Sequence, residues 1–424
     1  MAVTLDDAPG RAHVASIARD ASNRWLWLGV VAVVAAGVLE FAAPAPLPRD
    51  LLAGSMLSLV AVPCLLRHFV PSKAVVLVAL LVTLVPLGLG VARVVGITNP
   101  GEGDIHDTTV INDEASRMML RGENPYRGDF GPALPPVWRD LGYGADGQLI
   151  RNPAIDTYPY LPGSFLLNAP FVAVGDALGV GWDARILYLL AVVAMGVVVA
   201  RRPEPAHARA AMIVGAIGLP LTYYLCWGTN DAASLSLFLI GALIGKKRPA
   251  LAGVALGLAL SFKIVMAIPL LALAAFVLRT EGWSGVWRRW TCPALLAVTV
   301  LPYLAADPSV FVDEALLFNL NRGSFRFPVL GIGLPALAPG VFHGPLLVAL
   351  VVVGAVGALV VPAVVVWRRP TLPVALVAGG LAMLGMFIPA SNFRPPYLVL
   401  VATLVAGGWL GSTRIGVDPV DETS

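Results

Sequence analysis

Long apolar runs, separated by short basic connectors, constrain this chain more than any other feature. Runs of spanning or near-spanning length cover 24–43, 50–70, 74–96, 183–200, 210–227, 230–245, 250–278, 291–306, 345–366, 372–389 and 396–412. A soluble fold cannot hide that much apolar surface, and a composition of 58% hydrophobic and 13% charged residues agrees. The class expected is an all-α polytopic membrane protein, because in lipid a helix satisfies its own backbone hydrogen bonds. The run 250–278 is long for one helix and is basic at both ends, with Lys246, Lys247 and Arg248 before it and Arg279, Arg288 and Arg289 after it. Equal flanks put both ends on one side, so the run reads as two short helices in a hairpin turning near Ser261-Phe262-Lys263. That brings the expected number of transmembrane helices to about twelve.

Charge gives the orientation. The N-terminus, 67–73, 201–209, 246–248, 279–289, 368–369 and 414 fall on one side and hold 17 of the 29 Lys and Arg. By the positive-inside rule that side is cytoplasmic, with both termini there, in a multi-pass protein of the plasma membrane. The chain then divides into a cytoplasmic segment 1–23, one membrane-embedded unit 24–412 and a polar tail 413–424. The first apolar run has no small-residue cleavage site and reads as a retained helix. The opposite side receives 97–160 and 307–343, and 97–160 carries ten acids against five arginines. Segment 161–178, interrupted by Pro162 and Pro170, reads as re-entrant or lying along the surface. Cys64, Cys226 and Cys292 lie far apart in apolar runs and read as small buried residues, with no Cys or His pattern for zinc.

Chemistry concentrates in Gly103–Tyr126, one of the few polar stretches. Asp104, His106 and Asp107 precede a helical pattern that stops at Gly122-Glu-Asn-Pro125-Tyr126. The two acids are either solvated loop groups, with Asp107 or Thr109 capping the helix, or include a general base for an attacking hydroxyl. Two acids three apart can also bind a divalent ion, yet few further ligands are evident and no metal or cofactor is expected. Lys263 stands in an otherwise apolar stretch, where it either snorkels to the interface or meets an anionic group such as a lipid phosphate. Arg394, on the same outer face, can fork onto phosphate oxygens or serve as an interfacial anchor. Asn230 and Asp231 form a tight turn that suits helix capping and sugar contacts equally. Trp227, Tyr158 and Tyr160 can stack on sugar faces or anchor the aromatic belt. Arg322 and Arg326 sit among Phe311, Phe318, Phe325 and Phe327, which reads as an amphipathic surface helix and loop.

These motifs, in this order over roughly 100–410, resemble polyprenyl-phosphate-sugar-dependent glycosyltransferases of fold type C, most nearly glycosyltransferase family 87. The carriers are Asp104-Ile-His106, the stop at Gly122–Tyr126, Tyr158-Pro-Tyr160-Leu-Pro162, Gly228-Thr-Asn230-Asp231, and the Gly-Leu-Ala-Leu stretch running into Lys263. The resemblance implies an inverting transfer from a polyprenyl-phosphate sugar to an envelope glycan or glycolipid at the outer face. The base would be Asp107 or Asp104, with spacing to the Gly-x-x-Pro-Tyr stop favouring Asp107. Lys263 and Arg394 would hold the donor phosphate, and His106, Tyr126, Tyr158, Tyr160, Asn230, Asp231, Arg322 and Arg326 would line the substrate. Nucleic acid is not an expected partner. The rival from another class is a lipid-linked sugar flippase or other transporter, which needs charges along a central path on several helices. Here the charges gather at one face and no inverted repeat is visible.

Overall fold

Asp107–Leu120 (α1) is the polar helix the sequence predicts, and it ends where expected. Gly122 adopts φ +79°, the left-handed turn that lets the amides of Gly122 and Glu123 return to Met119 O and Met118 O at 2.9 Å. In the computed structural model the described residues are 106–143, 149–180, 182–202, 228–324, 330–338, 341, 344–390, 392–393, 397–398, 400–401, 403–405 and 408. The predicted runs at 24–43, 50–70, 74–96 and 210–227, most of 396–412, and both terminal segments lie outside them.

The described chain is mostly helical. After α1 come Gly163–Leu178 (α2), Arg185–Ala200 (α3), Asp231–Ile244 (α4), Pro249–Phe262 (α5), Ala267–Trp287 (α6), Thr291–Ala306 (α7), Gly344–Arg368 (α8) and Leu372–Phe387 (α9). Two short ribbons add to them: Asp140–Tyr143 (β1) pairs antiparallel with Leu149–Arg151 (β2), and Leu330–Gly331 (β3) pairs parallel with Asn392–Phe393 (β4). Ile264–Trp287 and Pro345–Arg368, 24 residues each, are long and apolar enough to cross a membrane. The apolar helices α2, α3, α4, α5, α7 and α9 are shorter.

The break expected near Ser261-Phe262-Lys263 is at Lys263, which is extended at φ −150° and ψ 110°. Pro269 fits it: a proline has no N–H to donate and costs least in a first helical turn, and here it is the third residue of the new helix. The arms turn back at Lys263 as expected, with Lys246–Arg248 and Arg279 at one end of the bundle, but they do not pack on each other along their length. α5 packs between α4 and α7, whereas α6 packs on α8 and α9. Glycines on α5 set the first of these approaches, since a Cβ at Gly257 would stand 3.0 Å from Leu295 of α7. Two further expectations are corrected. Segment 161–178 is not interrupted, because Pro162 sits at its N-cap and Pro170 is absorbed inside one helix. The basic stretch 279–289 is largely a continuation of α6, bent at Gly282 (φ +68°), with Arg288 and Arg289 tied to Glu281 at 3.1 and 2.9 Å.

Two cores result. One joins α3, α4, α5, α6 and α9 through Tyr188, Phe238, Phe262, Leu273 and Met383. The other lies beneath the polar segment, where Ile111, Tyr126, Phe130, Tyr158, Phe165 and Phe311 meet. The long loop expected at 97–160 is therefore, from His106 on, a folded layer with its own core. Cys292 is buried and unbridged, as read from the sequence, while Cys64 and Cys226 lie outside the described residues.

Contacts at the helix ends gather the described basic connectors together. Arg202 Nη1 donates to Leu243 O at 3.1 Å, Thr291 Oγ1 to Ala250 O at 2.5 Å, and the Arg279 guanidinium lies 5.5 Å from the Trp367 ring. Arg201–Arg202, Lys246–Arg248, Arg279, Arg288–Arg289 and Arg368–Arg369 thus share one end of the bundle. Asp107, Asp231 and Lys263 occupy the other.

Candidate active site

The candidate site forms where the N-termini of α1 and α4, the Tyr158–Leu161 turn and the break at Lys263 converge. His106, not Asp107 or Thr109, stands at the N-cap of α1, and Asp107 is its first helical residue. His106 Nδ1 lies 2.6 Å from Asp107 Oδ1 and 3.1 Å from the Thr108 amide. One nitrogen cannot donate to a carboxylate and accept from an amide at once. The shorter contact, to an ionisable partner, decides the tautomer: Nδ1 carries the proton and donates to Asp107. Trp138 packs against the imidazole, ring centres 5.0 Å apart. Asn152, fully buried, places Nδ2 3.3 Å from Asp107 Oδ2 and 2.7 Å from Trp138 O. The carboxylate is therefore held from both sides and is 15% exposed.

A short relay runs from it to the lysine. Thr108 Oγ1 lies 3.4 Å from Asp107 Oδ1 and 2.8 Å from the Tyr160 hydroxyl. Lys263 Nζ stands 5.9 Å from the Tyr160 ring centre and 5.8 Å from that of Tyr397, within cation–π range of both. Lys263 Nζ donates to Asp231 Oδ2 at 2.9 Å, with the lysine side chain 17% and the aspartate 4% exposed. Asn230 Nδ2 donates to Phe262 O at 2.7 Å, satisfying a carbonyl that the end of α5 leaves unpaired. Asn230 Oδ1 and Asp231 Oδ1 are buried without a hydrogen-bond partner among the described residues. A buried polar oxygen in that condition costs free energy unless a water or ligand meets it.

Gly228 makes the junction possible. Its φ of +81° favours glycine, and a Cβ there would strike Thr109 Oγ1 and lie 3.0 Å from Arg185 Cδ. Thr109 Oγ1 donates to Gly228 O, clamping α1 to the entrance of α4.

Behind the site lies a buried polar seam that the sequence reading does not contain. Asn112 joins the hydroxyls of Tyr158 and Tyr188 at 2.6 and 3.1 Å. Asn168 Nδ2 donates to Asp113 Oδ1 at 2.7 Å and Trp182 Nε1 to Asn168 Oδ1 at 2.6 Å. Arg185, 2% exposed, pairs with Asp183 at 2.6 Å. Burial pushes Asp113 up to about 7; the Asn168 hydrogen bond pulls the other way and the nearby Asp183 charge adds to the rise. On the far side, Glu314 in the π-helical turn Val312–Leu317 accepts the Tyr158 amide at 2.8 Å, and burial pushes it up to about 8.

Of the residues singled out in the sequence, His106, Asp107, Tyr160, Asn230, Asp231 and Lys263 come together. Tyr126 and Tyr158 are sealed in the second core; Tyr126 donates to Tyr160 O at 2.7 Å, so both support Tyr160 from behind. Arg322 is exposed on the strand of chain leaving the π-helical turn. Asp104, Trp227, Arg326 and Arg394 lie outside the described residues. Thr108, Trp138, Asn152 and Glu314 were missed. Asn152-Pro153 after the ribbon is a turn signal that pointed to a capping asparagine, and its side chain does accept the Ala154 amide at 3.0 Å. Among the described residues no three of His, Cys, Asp and Glu stand together as a metal site. No protein-family model, curated protein or solved structure matches the chain.

Proposed function

We propose that this chain is a membrane glycosyltransferase that moves a sugar from a polyprenyl-phosphate donor to an envelope glycan or glycolipid at the outer face. The observation that carries the reading is the convergence just described: Asp107, Tyr160, Asp231 and Lys263, from four separate stretches, are linked by hydrogen bonds through Thr108 and by the cation–π approach of Lys263 to Tyr160. In this reading Asp107 accepts the proton of the acceptor hydroxyl as its oxygen attacks the anomeric carbon. The bond from that carbon to phosphate breaks from the opposite face, its electrons leave with the phosphate, and the anomeric centre inverts. His106 and Asn152 fix the carboxylate at the angle the transfer needs. Lys263 has three N–H donors and spends one on Asp231, which leaves capacity for a phosphate oxygen. Arg394 joins it in the proposal, as a near neighbour in sequence of Tyr397, whose ring lies beside Lys263. The buried oxygens of Asn230 and Asp231 then serve sugar hydroxyls.

Depth supports the reading. α4 and α5 have 14 residues each. At 1.5 Å per residue they rise about 21 Å from the basic end, against a hydrocarbon core of roughly 30 Å. With that end at the inner interface, Asp231 and Lys263 sit below the outer surface, where a lipid phosphate can reach them from the side. The deciding experiment incubates purified protein with polyprenyl-phosphate sugars and a glycolipid acceptor and measures release of polyprenyl phosphate. A lipid-linked sugar transporter is the second reading, favoured by one observation: Asp231 and Lys263 form a buried ion pair at that depth. It predicts movement of labelled lipid-sugar across a vesicle without release.

A further inference from the structure

A second, unrelated feature lies between α8 and α9. Their facing surfaces form a half-open groove of about 530 Å³ lined by Gly354, Gly357, Val361, Val377, Gly385 and other apolar residues. Arg369 is the one charged side chain among its described lining, and it stands at one end. From Gly354 to Arg369 the wall is about 22 Å long at 1.5 Å per residue.

The glycines on this wall do different things. A Cβ at Gly354 would lie 2.8 Å from Gly385 O, so that glycine brings the helices together. A Cβ at Gly357 or Gly385 would meet nothing within 4 Å among the described residues. Neither has a positive φ, so neither is needed for a turn. Glycine inside a helix lowers stability relative to alanine, and among the described residues no neighbouring backbone accounts for that loss. What the two glycines do is keep a groove open.

The groove ends among cations. Arg368 and Arg369 follow one another, Arg279 stacks on Trp367, and Lys246–Arg248 and Arg288 lie at the same end of the bundle. Trp283, Trp287 and Trp290 are exposed there, spaced so that they share one side of a helical turn. Exposed tryptophans beside arginines suit the headgroup layer of a bilayer. This end is also remote from the candidate active site. Along α6, Arg279 lies sixteen residues past Lys263, or about 24 Å.

We propose that the groove between α8 and α9 binds one chain of an anionic phospholipid, whose phosphate rests on Arg369. The occupant follows from charge: an apolar channel with a single cation at its mouth, opening into a basic rim, matches an acyl chain carrying one negative headgroup. The inference shares the membrane placement of the previous section but not the transfer reaction, so it can fail while that reading stands.

The test uses the full chain in neutral detergent, exchanged against mixed micelles of phosphatidylglycerol and phosphatidylcholine, with bound lipid counted by native mass spectrometry. One phosphatidylglycerol should be retained per chain in preference to phosphatidylcholine. Arg369→Gln should lower that preference about fivefold, what one surface arginine contributes, without loss of the chain-binding groove. Gly357→Leu fills open space and improves helix propensity, so it should fold as well as the parent and lose both lipids. Retention of phosphatidylglycerol unchanged in Gly357→Leu overturns the proposal, as does equal binding of the two lipids by the parent. Polyprenyl phosphate displacing phosphatidylglycerol one for one, in the parent but not in Arg369→Gln, would also overturn it, by making the groove a donor site.

Discussion

Lys263 and Asp231 are joined across the end of two helices: Nζ lies 2.9 Å from Oδ2, one residue past the end of α5 and at the first residue of α4. A buried pair of this kind is weak evidence for stability and strong evidence of a constraint. Removing one partner of such a pair typically costs about 3–5 kcal/mol, because the other charge is left uncompensated.

A double-mutant cycle separates that structural cost from function. Lys263→Met alone should destabilise the protein by about 3–5 kcal/mol, and adding Asp231→Asn should recover most of the loss. The double variant is then a folded protein without the lysine. Its affinity for a polyprenyl-phosphate sugar should stay low. Thermal unfolding and donor binding on the same four proteins supply the measurement, and normal donor affinity in the double variant would remove Lys263 from the phosphate site.

Asp113 and Glu314 give the fold a pH dependence of defined sign. Both carboxyls are raised in the folded state, from 3.8 to about 7 and from 4.5 to about 8. The folded state therefore favours their protonated forms. Their contribution is fully present below the unfolded values and is lost as pH rises through the folded ones. Stability should fall between about pH 4 and 8, and Asp113→Asn or Glu314→Gln should flatten part of that slope. Melting temperatures across that range decide it; an unchanged slope in both variants contradicts the burial argument.

Much of this arrangement was legible in the sequence, and what was not has physical reasons. Lys263 stood out because an ionisable group in an apolar run has no cheap explanation, and the basic flanks of 250–278 placed a turn beside it. The end of α1 was readable from Gly122 because only a left-handed turn closes a helix that way. Arg185 was invisible, since a charge at the start of an apolar run reads as the edge of a loop. Its burial depends on Asp183 and on the approach of Gly228, which tertiary packing creates. Tyr158 looked like a sugar platform, and Tyr126 like a substrate-lining residue, for a related reason. An aromatic in a polar, Pro-rich stretch gives no sign of which face will be covered, and here Phe130, Phe165 and Phe311 cover it. The two arms of 250–278 turn back as their basic flanks imply, but flanking charge does not report which neighbours each arm will meet, and they pack on different helices.

Orientation can be tested without activity. The folded layer around Glu123 should face outside and the connector Lys246–Arg248 inside. In a variant lacking native cysteines, Glu123→Cys should react with an impermeant thiol reagent in intact cells, and Lys247→Cys only after permeabilisation. Both positions are exposed, so burial does not confuse the result. The reverse pattern would invert the topology and put the candidate site away from an outer-face donor.

The central claim rests on Asp107. Asn keeps the size of the side chain and its contact with Asn152, but it cannot take a proton from an acceptor hydroxyl. The most direct measurement is turnover of Asp107→Asn with a polyprenyl-phosphate sugar and acceptor, alongside donor binding by the same preparation. General-base catalysis typically contributes about 10²–10⁴-fold, so turnover should fall by at least that range's lower bound while donor affinity holds. Turnover at the parent rate in a folded Asp107→Asn protein would contradict the account.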